Sequence, residues 1–155
     1  MSKHSCLALC FKDLEKGLVS AQVLLVLENT SAGDVKDGWR WSLPGGKCCH
    51  DKLKEVNCCP ETADQTVVRE CKEETGYDVA PGELLLSEDK ANPETGAKFK
   101  RHVYWVEILG GKPLAKRVFS QETPKWFPIT KLPRNLFFSH RQLIQRVLLS
   151  VAKPR

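Results

Sequence analysis

Apolar residues along the chain fall mostly into short runs of strand length, and in two places they switch to the spacing of a helix. β-Branched and aromatic content bounded by turn residues predicts strands at Ser5–Phe11, Ala21–Glu28, Trp39–Leu43, Glu83–Ser87, Lys98–Ile108 and Lys125–Pro128. Asn29 to Gly38, with two Gly and two Asp, reads as a loop. Residues 61–77 carry Ala63, Val67 and Cys71 at four-residue spacing with Val68 beside them, which is the stripe of a helix packed on a core. Gly76 ends that helix as its left-handed residue, and Tyr77 is the apolar contact just beyond. A second helix opens at Ser139 with Gln142 three residues on as a capping box, and Leu143, Ile144, Val147, Leu148 and Val151 form its stripe. Two helices framing strands predict an α/β domain with a mixed β-sheet, without repeats or low-complexity tracts.

The opposite face of the first helix carries the chemistry. Glu70, Glu73 and Glu74 stand at i, i+3 and i+4, so their repulsion costs stability unless a cation sits among them. Carboxylate oxygens without His or Cys suit a hard divalent ion, magnesium or else manganese. The plain alternative is a solvated acidic face. Against it stands a longer pattern: Leu43-Pro44-Gly45-Gly46-Lys47, then Glu61, seven residues, Arg69-Glu70, two residues, Glu73-Glu74, one residue, Gly76 and Tyr77.

From Glu61 to Tyr77 this pattern resembles the Nudix hydrolase box, in which a glycine, five residues and a Glu precede the same Arg-Glu, Glu-Glu and Gly spacing. It departs from the box at the start, where Glu55 occupies the glycine position; a nine-residue insertion after Lys47, separating Gly46 from Glu61, restores the match. The resemblance implies an α/β/α sandwich over residues 1–155 as a single domain, with 48–56 as a cysteine-rich insertion loop. It also implies hydrolysis of a nucleoside diphosphate linked to another group, by attack of water on phosphorus. Carried over residue by residue, Glu73 and Glu74 resemble magnesium ligands, Glu70 a further ligand or the general base, and Gly46 a ligand through its carbonyl. Arg69 resembles the arginine that orients these carboxylates, and Glu61 the acid that supports it; an acid there also complements the helix dipole.

Charge and composition sharpen this picture. Residues 1–97 hold 11 Lys and Arg against 17 Asp and Glu, a balance of −6, whereas residues 98–155 hold 13 against 2, a balance of +11. Acidic and basic halves together suit a polyphosphate, whose oxygens meet both a cation and positive side chains. Lys98, Lys100 and Arg101 are the candidate phosphate contacts, against the reading of an ordinary basic surface. The resemblance also implies an additional base or ligand from a late loop, where Glu122, four residues before Trp126, is the best-placed acid, against the reading of a plain loop carboxylate. Trp39, Trp41, Tyr104, Trp105 and Trp126 are candidates for stacking on a base, or simply core. His102 reads as a satisfied histidine rather than a catalytic one.

Apolar runs such as Val23–Leu27 are strand-sized and predict no membrane span, Met1–Cys10 lacks the long apolar core of a secretory signal, and seven cysteines, an odd number, fit a reducing compartment, so the expectation is a cytoplasmic protein. Cys48-Cys49-His50 and Cys58-Cys59 lack the C-x2-C spacing that lets thiolates converge, so free cysteines in a surface loop are the reading and a structural zinc the alternative. Pro93, sixteen residues beyond Tyr77, is similar to the downstream proline of ADP-ribose-cleaving members. Nucleoside triphosphates, dinucleoside polyphosphates and capped RNA 5′ ends stay open as substrates, and oligomeric state is not set. The rival class is a non-catalytic nucleotide-binding sensor or scaffold, with a small metal-binding interaction module as a second.

Overall fold

The computed structural model describes residues 3–29, 38–48, 61–92, 95–115 and 123–152. The chain forms two compact units, Met1–Cys10 with Pro44–Lys112, and Phe11–Leu43 with Pro113–Arg155. Each contains one sheet and one of the two helices, so the expected α/β class with a mixed sheet holds, with the strands divided between two sheets.

The first unit contains β1 (His4–Leu9), β5 (Gly45–Lys47), α1 (Ala63–Thr75), β6 (Tyr77–Ala91) and β7 (Lys98–Gly111). Its sheet runs β5-β1-β7-β6, with β1 and β7 parallel and the other pairs antiparallel. α1 packs on β1, β5 and β6. The predicted stripe supplies that contact through Val67 and Cys71, both buried, and burying Val67 contributes roughly 2 kcal/mol. Thr62 caps α1 in a capping box with Gln65, and Gly76 closes it at φ 83°. β6 is far longer than the predicted Glu83–Ser87. It begins directly after Gly76 and absorbs Pro81 and Gly82 in register shifts against β7, which it can do as an edge strand paired on one side alone. Gly45–Lys47 forms a short strand that pairs with β1, Cys6 opposite Gly46.

The second unit contains β2 (Phe11–Lys12), β3 (Gln22–Asn29), β4 (Trp39–Ser42), β8 (Lys125–Pro128) and α2 (Phe138–Ala152). Here β3 is central, paired antiparallel with β2, β4 and β8. The predicted first strand therefore breaks at Cys10, and its last residue, Phe11, joins the other sheet. Helix α2 starts at Phe138, so Ser139 lies inside it rather than capping it. Leu143 and Ile144 are buried, whereas Val151 is exposed. Among the described residues no helix is long and apolar enough to cross a membrane.

Candidate active site

Arg69 is the organising group of the acidic helix. Its Nε donates to Glu61 Oε2 at 2.8 Å and its Nη2 to Glu61 Oε1 at 3.0 Å, a two-pronged grip on one carboxylate. Its Nη1 donates to Glu70 Oε1 at 3.0 Å and Glu73 Oε2 at 3.1 Å, and Nη2 also reaches the Lys47 carbonyl at 3.0 Å. These partners hold the guanidinium well above its ordinary pKa, the Glu61 hydrogen bonds most of all, so it is charged at any working pH. Glu61 lies just outside the helix, one residue before its cap, with its carboxylate spanning Arg69.

The remaining acid points elsewhere. Glu74 is buried, and its Oε2 accepts the Gly45 N–H at 3.0 Å, tying the helix to β5. Gly46 is required beside it by close approach: a Cβ built there would stand 2.5 Å from the Glu70 carboxyl carbon. Glu74 thus meets β5 at Gly45 and Glu70 meets it at Gly46, while Glu73 is held by Arg69, and Lys72 on the exposed flank pairs with Asp78 at 3.1 Å.

This donor set is all oxygen and suits a hard divalent ion. The carboxylate of Glu70 lies so close against the Gly46 backbone that a side chain at residue 46 would strike it, which keeps two oxygen-bearing groups, the carboxylate and the Gly46 backbone, side by side. Among the described residues no three acidic, thiol or imidazole groups come together closely enough to hold a metal ion. Magnesium, which commonly takes one or two carboxylates and completes its shell with water and substrate phosphates, does not need them to.

The basic candidates sit on β7. Lys100 Nζ pairs with Asp89 Oδ1 at 3.4 Å, and Arg101 Nη2 donates to Glu88 Oε2 at 2.8 Å. Burial works against the charge on Glu88, yet the Arg101 guanidinium more than offsets it and holds the carboxyl below its usual pKa. Because side chains alternate along a strand, Lys98 and Lys100 project from the face opposite Arg101. His102 Nδ1 lies 2.8 Å from Ser87 Oγ, a satisfied histidine as expected. Trp41 and Tyr104 are core, Trp41 meeting Phe127 edge-on. Glu122 and Pro93 lie outside the described residues, as do Cys49, His50, Cys58 and Cys59. Cys48 corrects the surface-loop reading: it is buried, and its Sγ accepts the His4 N–H at 3.4 Å. Cys6 and Cys10 are buried free thiols whose pKa burial pushes up to about 12.

Two residues of the cluster escaped the sequence reading. Thr66 is fully buried on α1, and its Oγ1 reaches Glu61 Oε1 at 2.7 Å and the Thr62 carbonyl at 2.9 Å. His4, buried on β1, places Nε2 3.0 Å from Thr66 Oγ1. A threonine on the core side of an amphipathic helix was the signal for the first; nothing local points to the second.

An Arg-centred carboxylate cluster on a capped helix beside a Gly-Gly strand defines the class of the Nudix hydrolases. The chain belongs to that family: the family model described as NUDIX domain matches residues 15–147. Solved structures share the fold. An ADP-ribose pyrophosphatase from Streptococcus suis 89-1591 is 24% identical, covering 100% of this chain and 96% of that one with a TM-score of 0.65. A MutT NUDIX hydrolase from Burkholderia pseudomallei is 24% identical over 95% and 98%, TM-score 0.62. The NUDIX domain of Shewanella oneidensis NrtR, complexed with ADP ribose, is 21% identical over 98% and 90%, TM-score 0.61. No curated protein matches the sequence.

Proposed function

We propose that this Nudix hydrolase cleaves a pyrophosphate bond in a nucleoside diphosphate linked to another group, with magnesium or manganese, and that ADP-ribose is its first candidate substrate. The observation that carries the reading is the single guanidinium of Arg69 holding Glu61, Glu70 and Glu73 together beside Gly46. ADP-ribose leads because two similar structures are named for it. A bound cation supplies neutralisation of phosphate oxygens and a more acidic water.

In this reading Glu70, Glu73 and Glu74, with the Gly46 carbonyl, hold the cation, and Glu70 serves as a further ligand or as the base that takes the proton of the attacking water. Arg69 fixes their directions and Glu61 fixes Arg69. Glu122 is the additional acid from the late loop. Lys98, Lys100 and Arg101 draw in the phosphates; Lys98 and Lys100 share a face for that task, while Arg101 is held by Glu88. The four buried free thiols, Cys6, Cys10, Cys48 and Cys71, support a reducing, cytoplasmic setting.

A hydrolysis panel over ADP-ribose, sugar nucleotides, nucleoside triphosphates, diadenosine polyphosphates and capped RNA, with and without magnesium, tests the reading. Magnesium-dependent release of AMP and ribose 5-phosphate from ADP-ribose is expected. Tight nucleotide binding without turnover across the panel would move the protein to the sensor class.

A further inference from the structure

Thr66 Oγ1 has three polar neighbours and one proton. Glu61 Oε1 at 2.7 Å and the Thr62 carbonyl at 2.9 Å can only accept, and His4 Nε2 lies at 3.0 Å. The carboxylate is the nearer and stronger acceptor and takes the hydroxyl proton. If His4 Nε2 were bare, its lone pair would face an oxygen with no second proton to offer. The contacts are satisfied together only when Nε2 carries hydrogen and donates to Thr66, leaving the hydroxyl proton for Glu61.

The His4 ring is held for this task. Its residue exchanges backbone contacts with Cys48, the Cys48 N–H donating to the His4 carbonyl at 2.9 Å and the His4 N–H to Cys48 Sγ at 3.4 Å. On the far side the ring meets His102 edge-on, centroids 5.9 Å apart. Nε2 is thereby aimed from β1 at α1, into a spot where Thr66 is fully buried.

We propose that His4 and Thr66 are positioning residues for the hydrolytic site, a hydrogen-bonded line running from β1 through Thr66 to Glu61, from Glu61 to Arg69, and from Arg69 to Glu70 and Glu73. The proposal rests on the hydrolase reading for its consequence and on hydrogen-bond accounting for its geometry. Glu61 Oε1 receives Thr66 and Arg69 Nη2, and Oε2 receives Arg69 Nε, so Thr66 adds to the two-pronged grip a third donor, one that is itself tied through His4 to the sheet. Without the hydroxyl, the carboxylate and the fork it grips lose a reference point in the sheet. The acids that Arg69 aims then lose theirs.

Three measurements test this, two of them without turnover. Long-range 1H–15N correlation of the imidazole side chains in the full chain should show His4 protonated at Nε2; a bare Nε2 overturns the proposal. Thr66→Val, which keeps shape and removes the hydroxyl, should shift the Arg69 Nε–H resonance, while Thr66→Ser leaves it near the wild-type position. In hydrolysis of the panel's best substrate, Thr66→Val and His4→Phe should lower kcat about tenfold or more. Their KM should stay within about twofold, with Thr66→Ser and His4→Gln restoring most of the rate. Loss that Ser and Gln fail to restore, or an unmoved Arg69 resonance in Thr66→Val, assigns these residues to packing alone and contradicts the proposal. If no substrate turns over, the tautomer and the Arg69 resonance still decide it, separately from the functional reading.

Discussion

At the scale of the residue, the site turns on one guanidinium that makes five hydrogen bonds, to Glu61, Glu70, Glu73 and the Lys47 carbonyl. A lysine would keep the charge and lose the fork. Arg69→Lys should therefore destabilise the fold by about 2 kcal/mol, since hydrogen bonds to charged groups are each worth that order. Urea unfolding checks it, and an unchanged midpoint would mean that the grip on Glu61 contributes no stability. The carboxylates and their arginine were legible in the sequence because a helix turns spacing into direction. His4 was not, since it meets Thr66 across 62 residues of chain and no periodicity records such a pairing. The expected solvated Cys48 failed for a related reason: strand pairing, not local composition, placed it beside His4.

At the scale of the element, β5 matters as much as α1. Three residues of strand bring the Gly45 N–H to Glu74 and the Gly46 backbone to Glu70. Gly46→Ala should leave the fold standing, because the Glu70 side chain can swing away, yet lower kcat at least about tenfold by displacing that carboxylate. Circular dichroism alongside steady-state kinetics separates the two effects; full activity would show that Glu70 is not needed where it now lies. The end of α1 at Gly76 was readable from left-handed glycine chemistry and holds at φ 83°. The capping box expected at Ser139 belongs instead to Thr62 and Gln65. Likewise β6 outran its predicted bounds because pairing with β7 overrides the poor strand propensity of Asp78, Pro81 and Gly82.

At the scale of the molecule, pH and charge carry the remaining tests. Burial holds His102 below its ordinary pKa of 6.5, with His4 and Lys100 adding to the effect. The unfolded chain takes up that proton near the ordinary value and the folded chain only at lower pH. Between the two the unfolded state binds more protons, so stability is fully present above about pH 6.5 and is lost as pH falls below it. His102→Asn should flatten the decline in thermal midpoint from about pH 7 to about pH 5; an identical slope would assign the decline to other groups. The opposite charge balance of the two sequence halves was plain from composition, but its use was not. Lys100 and Arg101 look like a pair in the chain, and the strand turns them to opposite faces, each with its own acid. In the proposed function the acidic flank of α1 holds the cation that drives hydrolysis. This is tested most directly by kcat for ADP-ribose at saturating magnesium in Glu73→Gln and Glu74→Gln beside the wild type. Each substitution removes one charge from a site whose catalysis is electrostatic, so a fall of about 100-fold or more with the fold intact is expected in both. Wild-type turnover in either variant would contradict it.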